Sequence, residues 1–416
     1  MALPRRVPVA IVGGGQAGLS MSWNLTRLGV DHVVLERARA FHAWHEERWD
    51  AFTLVTPNFQ CRLPGHPYAG DEPEGFMAKD EILQYLAGFL RTFEPPLLEG
   101  VAVTRLTSGA DGDFELRTTA GTLTTEQVVL AIGGYHTPWA PPAVDAALPG
   151  EIVRVHSNAY RNPAALPDGA VLVVGTGQSG AQIAEDLHLA GRQVHLCVGS
   201  APRCARRYRG RDVVSWLEDS GHYDLPIDEH PEGNDARKEA NHYVTGRDGG
   251  RDLDLRAFAA QGMSLHGLLL AVQGGVATFA DDLRTNLDAA DATYNRINAG
   301  IDRWIARHGI ETAEGPSAYS AVWEPPAGPP EPLDLAAAGI TSVVWCTGFR
   351  PDWSWVDVPL LDDSGYPEHE RGVVARTPGL FVLGLPWLHT WGSGRFAAVA
   401  RDAEHVARQM LGAVVG

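Results

Sequence analysis

Two hexapeptides equip this chain for the same task at well-separated places. Gly13-Gly14-Gly15-Gln16-Ala17-Gly18 and Gly175-Thr176-Gly177-Gln178-Ser179-Gly180 both match GxGxxG, and each follows an apolar run and opens a helical one. In such a loop the first glycine permits a tight turn and the second lets the backbone approach a pyrophosphate. The third lets helix and strand pack closely, and the helix N-terminus adds a partial positive charge. The pattern predicts two dinucleotides on one chain.

The flanks tell the two loops apart. Glu36 ends the strand after the first loop, and a carboxylate there accepts hydrogen bonds from ribose hydroxyls while repelling a 2′-phosphate. The matching strand after the second loop ends at Val198-Gly199 without an acid, and Arg203, Arg206, Arg207, Arg209 and Arg211 follow. Guanidinium groups pair bidentately with phosphate, so FAD is expected on the first loop and NADPH on the second. Glu36 and Arg37 are thereby assigned to FAD, and Arg203, Arg206 and Arg207 to the 2′-phosphate. The other reading of these arginines is pairing with nearby acids.

The elements that must hold these loops are legible as two strand–helix–strand units. Val9–Val12, a helix through Leu19, Trp23 and Leu28 stopped by Gly29, and Val33–Leu35 form the first. Val171–Val174, a helix over Ala181–Ala190 stopped by Gly191, and Val194–Val198 form the second. This predicts an α/β fold of two Rossmann-like dinucleotide-binding domains with the second inserted in the first. The expected limits are 1–166 and 329–416 for the FAD domain, and 167–328 for the NADPH domain, with an insertion at about 221–310.

Further apolar strands, Val128–Ile132 and Val343–Trp345, run into Gly133 and Gly348. Met263–Asp281 reads as a hairpin turning on Gly274-Gly275, and Pro325–Pro332 as the crossing back to the first domain. Apolar residues from Leu283 to His308 recur at spacings of three and four, which predicts one long helix ended by Gly309. It packs on its own domain, or else serves as a homodimer face or substrate lid. The His-, Tyr- and Arg-rich segment 221–256 is either a solvated loop or a substrate cap.

Composition narrows the function classes. The 416 residues are 44% hydrophobic and 20% charged, which is a globular balance, and a net charge of −17 argues against nucleic acid or an anionic membrane as partner. No apolar run approaches the roughly 18 residues of a membrane span. The four cysteines are scattered without a CxxC, which argues against a disulfide framework, a redox dithiol or a metal site. The expectation is a soluble cytoplasmic protein.

The chain resembles the flavin-containing monooxygenases, the single-chain flavoproteins that include the plant auxin-forming and Baeyer–Villiger enzymes. The resemblance rests on the two loops, on Glu151–Tyr160 with its His156-Ser157 and Tyr160, and on Thr347-Gly348-Phe349. A closer resemblance covers essentially the whole chain and is to an uncharacterised bacterial FAD-dependent oxidoreductase family, often encoded beside a nitrilase. Its carriers are Arg48–Gly65, Gly177–Arg203, Asn241–Arg256 and Gly384–Phe396.

These resemblances imply a monooxygenase that uses NADPH, molecular oxygen and a C4a-(hydro)peroxyflavin to oxygenate a small organic substrate. They place Trp44 beside the flavin, Asn58 near its ring and the Val103 backbone at the adenine. Gly133, Thr347 and Gly348 line the cofactor, and Gly394, Arg395 and Phe396 open the last helix toward the flavin N1–C2 edge. His136, Trp139, His389 and Trp391 flank these loops, and Asn58, His389 and Trp391 are the candidates for a catalytic role. The rival readings are a reductase or dehydrogenase that passes electrons to another acceptor, and a non-catalytic redox sensor.

Overall fold

A computed structural model describes residues 2–109 and 112–414. Its first sheet grows from Arg6–Val12, which pairs in parallel with His32–Glu36 on one side and with Gly121–Leu130 on the other. Leu97–Glu99 extends the sheet beyond His32–Glu36. The ten-residue strand Gly121–Leu130 serves two ladders because of its length. Its first half pairs antiparallel with Phe114–Thr118, whereas Val128–Leu130 pairs in parallel with Leu380–Val382. The central strands are covered on both faces, so they read as continuous apolar runs rather than alternating ones.

The second sheet is wholly parallel, in the order Val153–His156, Ile340–Trp345, Ala170–Val174, Val194–Cys197 and Ser264–His266. The expected α/β fold with two dinucleotide-binding units is therefore present. Two boundaries differ from expectation. Ile340–Trp345 lies inside the second sheet, between Val153–His156 and Ala170–Val174, so 340–345 does not belong to the first domain and Val153–His156 does not either. An apolar run looks the same in either sheet, and only its tertiary partners decide which one it joins.

The proline-rich stretch before Leu333 is not the crossing, because Leu333–Asp334 still pairs with Val276–Ala277 of the second domain. The chain crosses between domains at a short antiparallel ribbon of Thr137–Pro138 and Phe349–Arg350. The hairpin is also shorter than expected: Ser264–His266 is a sheet strand, and only Leu269–Gln273 and Val276–Phe279 turn on Gly274-Gly275, both at positive φ.

The long helix runs from Leu283 to His308 and ends at Gly309 in the left-handed region (φ 63°), as its spacing predicted. It buries Leu287, Ala290 and Ile301, and its Asp291 and Asp302 carboxylates grip arginines of the segment after the second loop. It packs on its own domain. No described helix is long and apolar enough to cross a membrane.

Each glycine loop closes on itself with no room to spare. A Cβ on Gly18 would lie 1.9 Å from the Gly13 carbonyl oxygen, and one on Gly180 would lie 1.9 Å from that of Gly175. Gly13 (φ 110°) and Gly175 (φ 103°) hold a conformation that side chains disfavour. Gly180→Ala is therefore expected to cost about 1–3 kcal/mol by overpacking. Equilibrium urea unfolding measures it, and a midpoint unchanged from the parent would contradict the close approach.

Candidate active site

The residues expected around the first loop come together. Gly14 N–H donates to Glu36 Oε2 at 2.7 Å and Ala38 N–H donates to Oε1 at 2.8 Å, which fixes a buried carboxylate at the loop's rim. Gln16 then ties three elements into one. Its Nε2 donates to the Gly394 carbonyl at 3.0 Å, and its Oε1 accepts from Trp44 Nε1 at 3.1 Å. Trp44 stacks on Phe396 with centroids 5.0 Å apart. A Cβ on Gly384 would meet the Ala17 Cβ at 2.5 Å, so the 384–396 loop seats directly on the first loop.

Glycines 15 and 177 are different in kind from their neighbours. A Cβ at either would meet nothing within 4 Å, and neither needs positive φ. Within the two loops these are the glycines that the fold itself does not require, and the open space over each leaves room for a pyrophosphate. The cradles thus fit two pyrophosphates. In the second, Gln178 reaches across to the insertion, where its amide donates to the Val244 carbonyl and accepts from Val244 N–H at 3.2 Å. Ser179 sits half-buried in the first turn of the helix that begins at Gln178.

The interdomain ribbon is pinned by histidines and a threonine. His156 Nε2 meets the Gly348 carbonyl at 3.0 Å, and Thr347 Oγ1 donates to the Trp139 carbonyl at 2.5 Å. His136 lies 2.9 Å from the Gly133 carbonyl through Nε2, and its Nδ1 accepts from Asp352 N–H at 2.8 Å. Gly133 (φ 72°) and Gly348 (φ 83°) mark the two crossing points. His136 and Trp139 therefore hold the hinge. Val103 opens the strand Val103–Ser108 opposite Thr118, and Arg37 is exposed beyond Glu36.

Two expectations need correction. Arg203 does not await a phosphate: it is 2% exposed, lies 2.8 Å from Asp291 and 3.5 Å from Asp254, and stacks over Tyr319. Arg206 is spent on Asp212 at 2.5 Å and on the Val55 carbonyl at 2.7 Å. Arg207 is exposed and donates to the Gly249 carbonyl at 3.2 Å, while Arg209 and Arg211 pair with Asp302 and Asp219. The two buried guanidinium groups each meet a carboxylate, Arg203 at Asp254 and Asp291 and Arg206 at its near neighbour Asp212. Acids up to 93 residues away along the chain were invisible to a local reading.

Asn58 is the second correction. Its Nδ2 donates to the Glu72 carbonyl at 2.9 Å and its Oδ1 accepts from Met77 N–H at 2.7 Å, so both ends of the amide are used to fold 72–77. His389 lies among Arg371, Asp228, His405 and Arg401, none of which belongs to a glycine loop. Burial and these cations hold its pKa below the ordinary histidine value, and its backbone carbonyl accepts from Ile227 N–H.

Trp391, by contrast, faces the insertion. It packs on Tyr223 with centroids 4.5 Å apart, and the Arg395 guanidinium lies 4.0 Å over its other side. The insertion is thus a cap. Tyr223, the Pro226–Thr390 bridge, Arg237 on the Trp387 carbonyl and Asn241 on Arg395 all close over the 384–396 loop. Sequence reasoning did not single out Tyr223, Asn241 or Arg48. Arg48 and Asn241 open two of the long family motifs, and Tyr223 lies in the His-, Tyr- and Arg-rich insertion.

Beneath this loop, Asp402 is 2% exposed and engages Ser393, whose Oγ in turn accepts from the His389 and Thr390 N–H groups. Burial pushes the Asp402 carboxyl up to about 6.

Two cradles that each admit a pyrophosphate, joined by a ribbon and roofed by a cap, define a two-dinucleotide oxidoreductase. The chain belongs to the pyridine nucleotide-disulphide oxidoreductase family, whose sequence model matches residues 10–220. An "uncharacterized oxidoreductase CzcO-like" of Geobacillus kaustophilus (strain HTA426) is 29% identical over 408 residues, which span 97% of this chain and 98% of that protein. The probable indole-3-pyruvate monooxygenase YUCCA4 of Arabidopsis thaliana is 29% identical over 192 residues, 45% of this chain and 46% of its own length. A flavin-containing monooxygenase from Stenotrophomonas maltophilia shares the fold with a TM-score of 0.66 at 20% identity, covering 98% of this chain and 99% of that one.

Two outcomes follow from the buried charges. Arg203→Met leaves Asp254 and Asp291 short of a buried partner and is expected to cost about 3–5 kcal/mol in urea unfolding. The ratio of kcat/KM for NADPH over NADH should not move, and a collapse of that ratio would return Arg203 to the phosphate. Asp402 has a folded-state pKa above its unfolded value, so the native state binds the extra proton and stability falls as pH rises from about 4 to about 6. Asp402→Asn is accordingly expected to melt higher than the parent at pH 8, with the gap closing at pH 4.

Proposed function

We propose that the first loop holds FAD, the second holds NADPH, and the chain is a monooxygenase of a small organic substrate. The observation that carries this reading is the pair of matched cradles, open at Gly15 and Gly177, which share one cap. Together the two cofactors supply hydride transfer and the activation of molecular oxygen. The residues of this chain bind, orient and seal.

Glu36 receives the ribose hydroxyls of the first dinucleotide, with its carboxylate already aimed by Gly14 and Ala38. Trp44, Phe396 and the Gln16–Gly394 tie form the wall against which a flavin packs. At the second loop the strand ends at Cys197 and runs into Val198-Gly199-Ser200, which carry no acid, so a 2′-phosphate meets no repulsion there. Gly199 N–H is already turned toward the Thr176 hydroxyl at 2.9 Å. The cap excludes water from the space over the 384–396 loop, which an oxygenating site needs more than a reductase does.

A disulfide-reducing role is disfavoured by the cysteines. All four are free, and burial pushes the Cys61 and Cys204 thiols up to about 12 and those of Cys197 and Cys346 higher still. A thiolate nucleophile requires the opposite shift. The reading is supported, too, by the monooxygenases among the relatives and fold neighbours.

One experiment tests the activity. The purified protein is reduced with NADPH without air and then mixed rapidly with oxygen. A transient spectrum distinct from both reduced and oxidised flavin, lasting seconds or longer, is expected. Direct return to oxidised flavin would replace the monooxygenase by a reductase. In parallel, Gly177→Ala should fold with unchanged stability yet weaken NADPH binding at least tenfold, measured by the rate of flavin reduction against NADPH concentration.

A further inference from the structure

Most arginines of the insertion are matched by acids, but two beside the first loop are not. Arg48 and Arg395 have no carboxylate partner among the described residues. Arg48 donates to the Glu47 carbonyl at 2.9 Å, and Arg395 to the Trp391 carbonyl and to Asn241 Oδ1, the latter at 2.7 Å. Both side chains are half-buried, which disfavours their charged form; the Glu47 carboxylate and the Tyr135 phenol act on Arg48, and the Tyr135 and Tyr223 phenols on Arg395. A cation drawn out of water is costly unless an anion meets it.

The two are linked through one run of aromatic contacts. Arg48 lies 5.0 Å over Trp44 and 5.5 Å over Phe52. Trp44 stacks on Phe396, the chain neighbour of Arg395. Arg395 lies over Trp391, and Trp391 packs on Tyr223 of the cap. One guanidinium thus lies against Trp44 and the other against Trp391. The first pyrophosphate cradle borders these rings through Gln16, and the second lies at Gly177.

From this arrangement, and resting on the monooxygenase reading above, we propose that the substrate is a small carboxylate with an aromatic or otherwise apolar body. Arg48 and Arg395 bind the carboxylate, and Phe52, Trp391 and Tyr223 take the body. Guanidinium presents a planar fork that matches a carboxylate, and the aromatic faces beneath it suit a flat apolar group. Asn241 aims Arg395 from the cap, so the same contact that closes the cap orients the cation.

Benzoate and its neutral isostere benzamide make the test. The flavin-loaded protein is titrated with each, and the visible spectrum of the bound flavin and the melting temperature are both read. Benzoate is expected to perturb both saturably, with benzamide at least tenfold weaker. Arg48→Met and Arg395→Met should each weaken the benzoate response at least tenfold, and Arg48→Lys should restore part of it.

Equal responses to the two compounds, or none up to tens of millimolar, would overturn the proposal. So would abolition of the benzoate response by ADP, which would give the arginines to a dinucleotide. The melting-temperature readout does not require flavin. A protein that fails to hold flavin therefore defeats the proposed activity without deciding the carboxylate site, whereas a flavin-loaded protein indifferent to benzoate defeats the site alone.

Discussion

Backbone against backbone, with no side chain between, is the contact on which this molecule depends. At both glycine loops the third glycine of the motif sits so close to the carbonyl of the first that a methyl group would intrude to 1.9 Å. That approach seats each helix on its strand and points its N-terminus at the space over Gly15 or Gly177. The surrounding structure then builds outward. Ala17 touches Gly384, Gln16 holds Gly394, and the 384–396 loop is drawn onto the first cradle.

The insertion is organised on a different principle. The segment leading into it and its own interior are charged, with Arg203, Arg206 and Arg256 almost fully buried and tied to Asp254, Asp291, Asp212 and Asp288. Such pairs add little net stability over apolar packing, but removing one member is severe, because its partner is left buried and unmatched. They fix one geometry for a segment that must close over the 384–396 loop. Against that background of matched charge, the unmatched pair Arg48 and Arg395 stands out chemically, and the cap closes directly onto it through Asn241.

The interdomain ribbon connects the two arrangements. Thr137–Pro138 and Phe349–Arg350 cross side by side, and His156, Thr347 and His136 bond the backbone at the crossing points. His136, which reads in sequence as flanking a flavin-facing loop, thus joins His156 and Thr347 in setting the relation between the two cradles.

The sequence by itself determined whatever depends on neighbours a few residues apart. Both glycine loops, Glu36 at the strand end, and the long helix from Leu283 to its Gly309 cap were legible because turn, cap and helical period are local. The tertiary structure alone decided the rest. Asn58 proved to be a loop brace, the arginine cluster proved to be ion-paired, and Ile340–Trp345 joined the second sheet. In each case the deciding partner is distant in the chain or presents the same pattern in two settings. A side chain's role there is set by what folding carries to it, and residue type and spacing do not encode that.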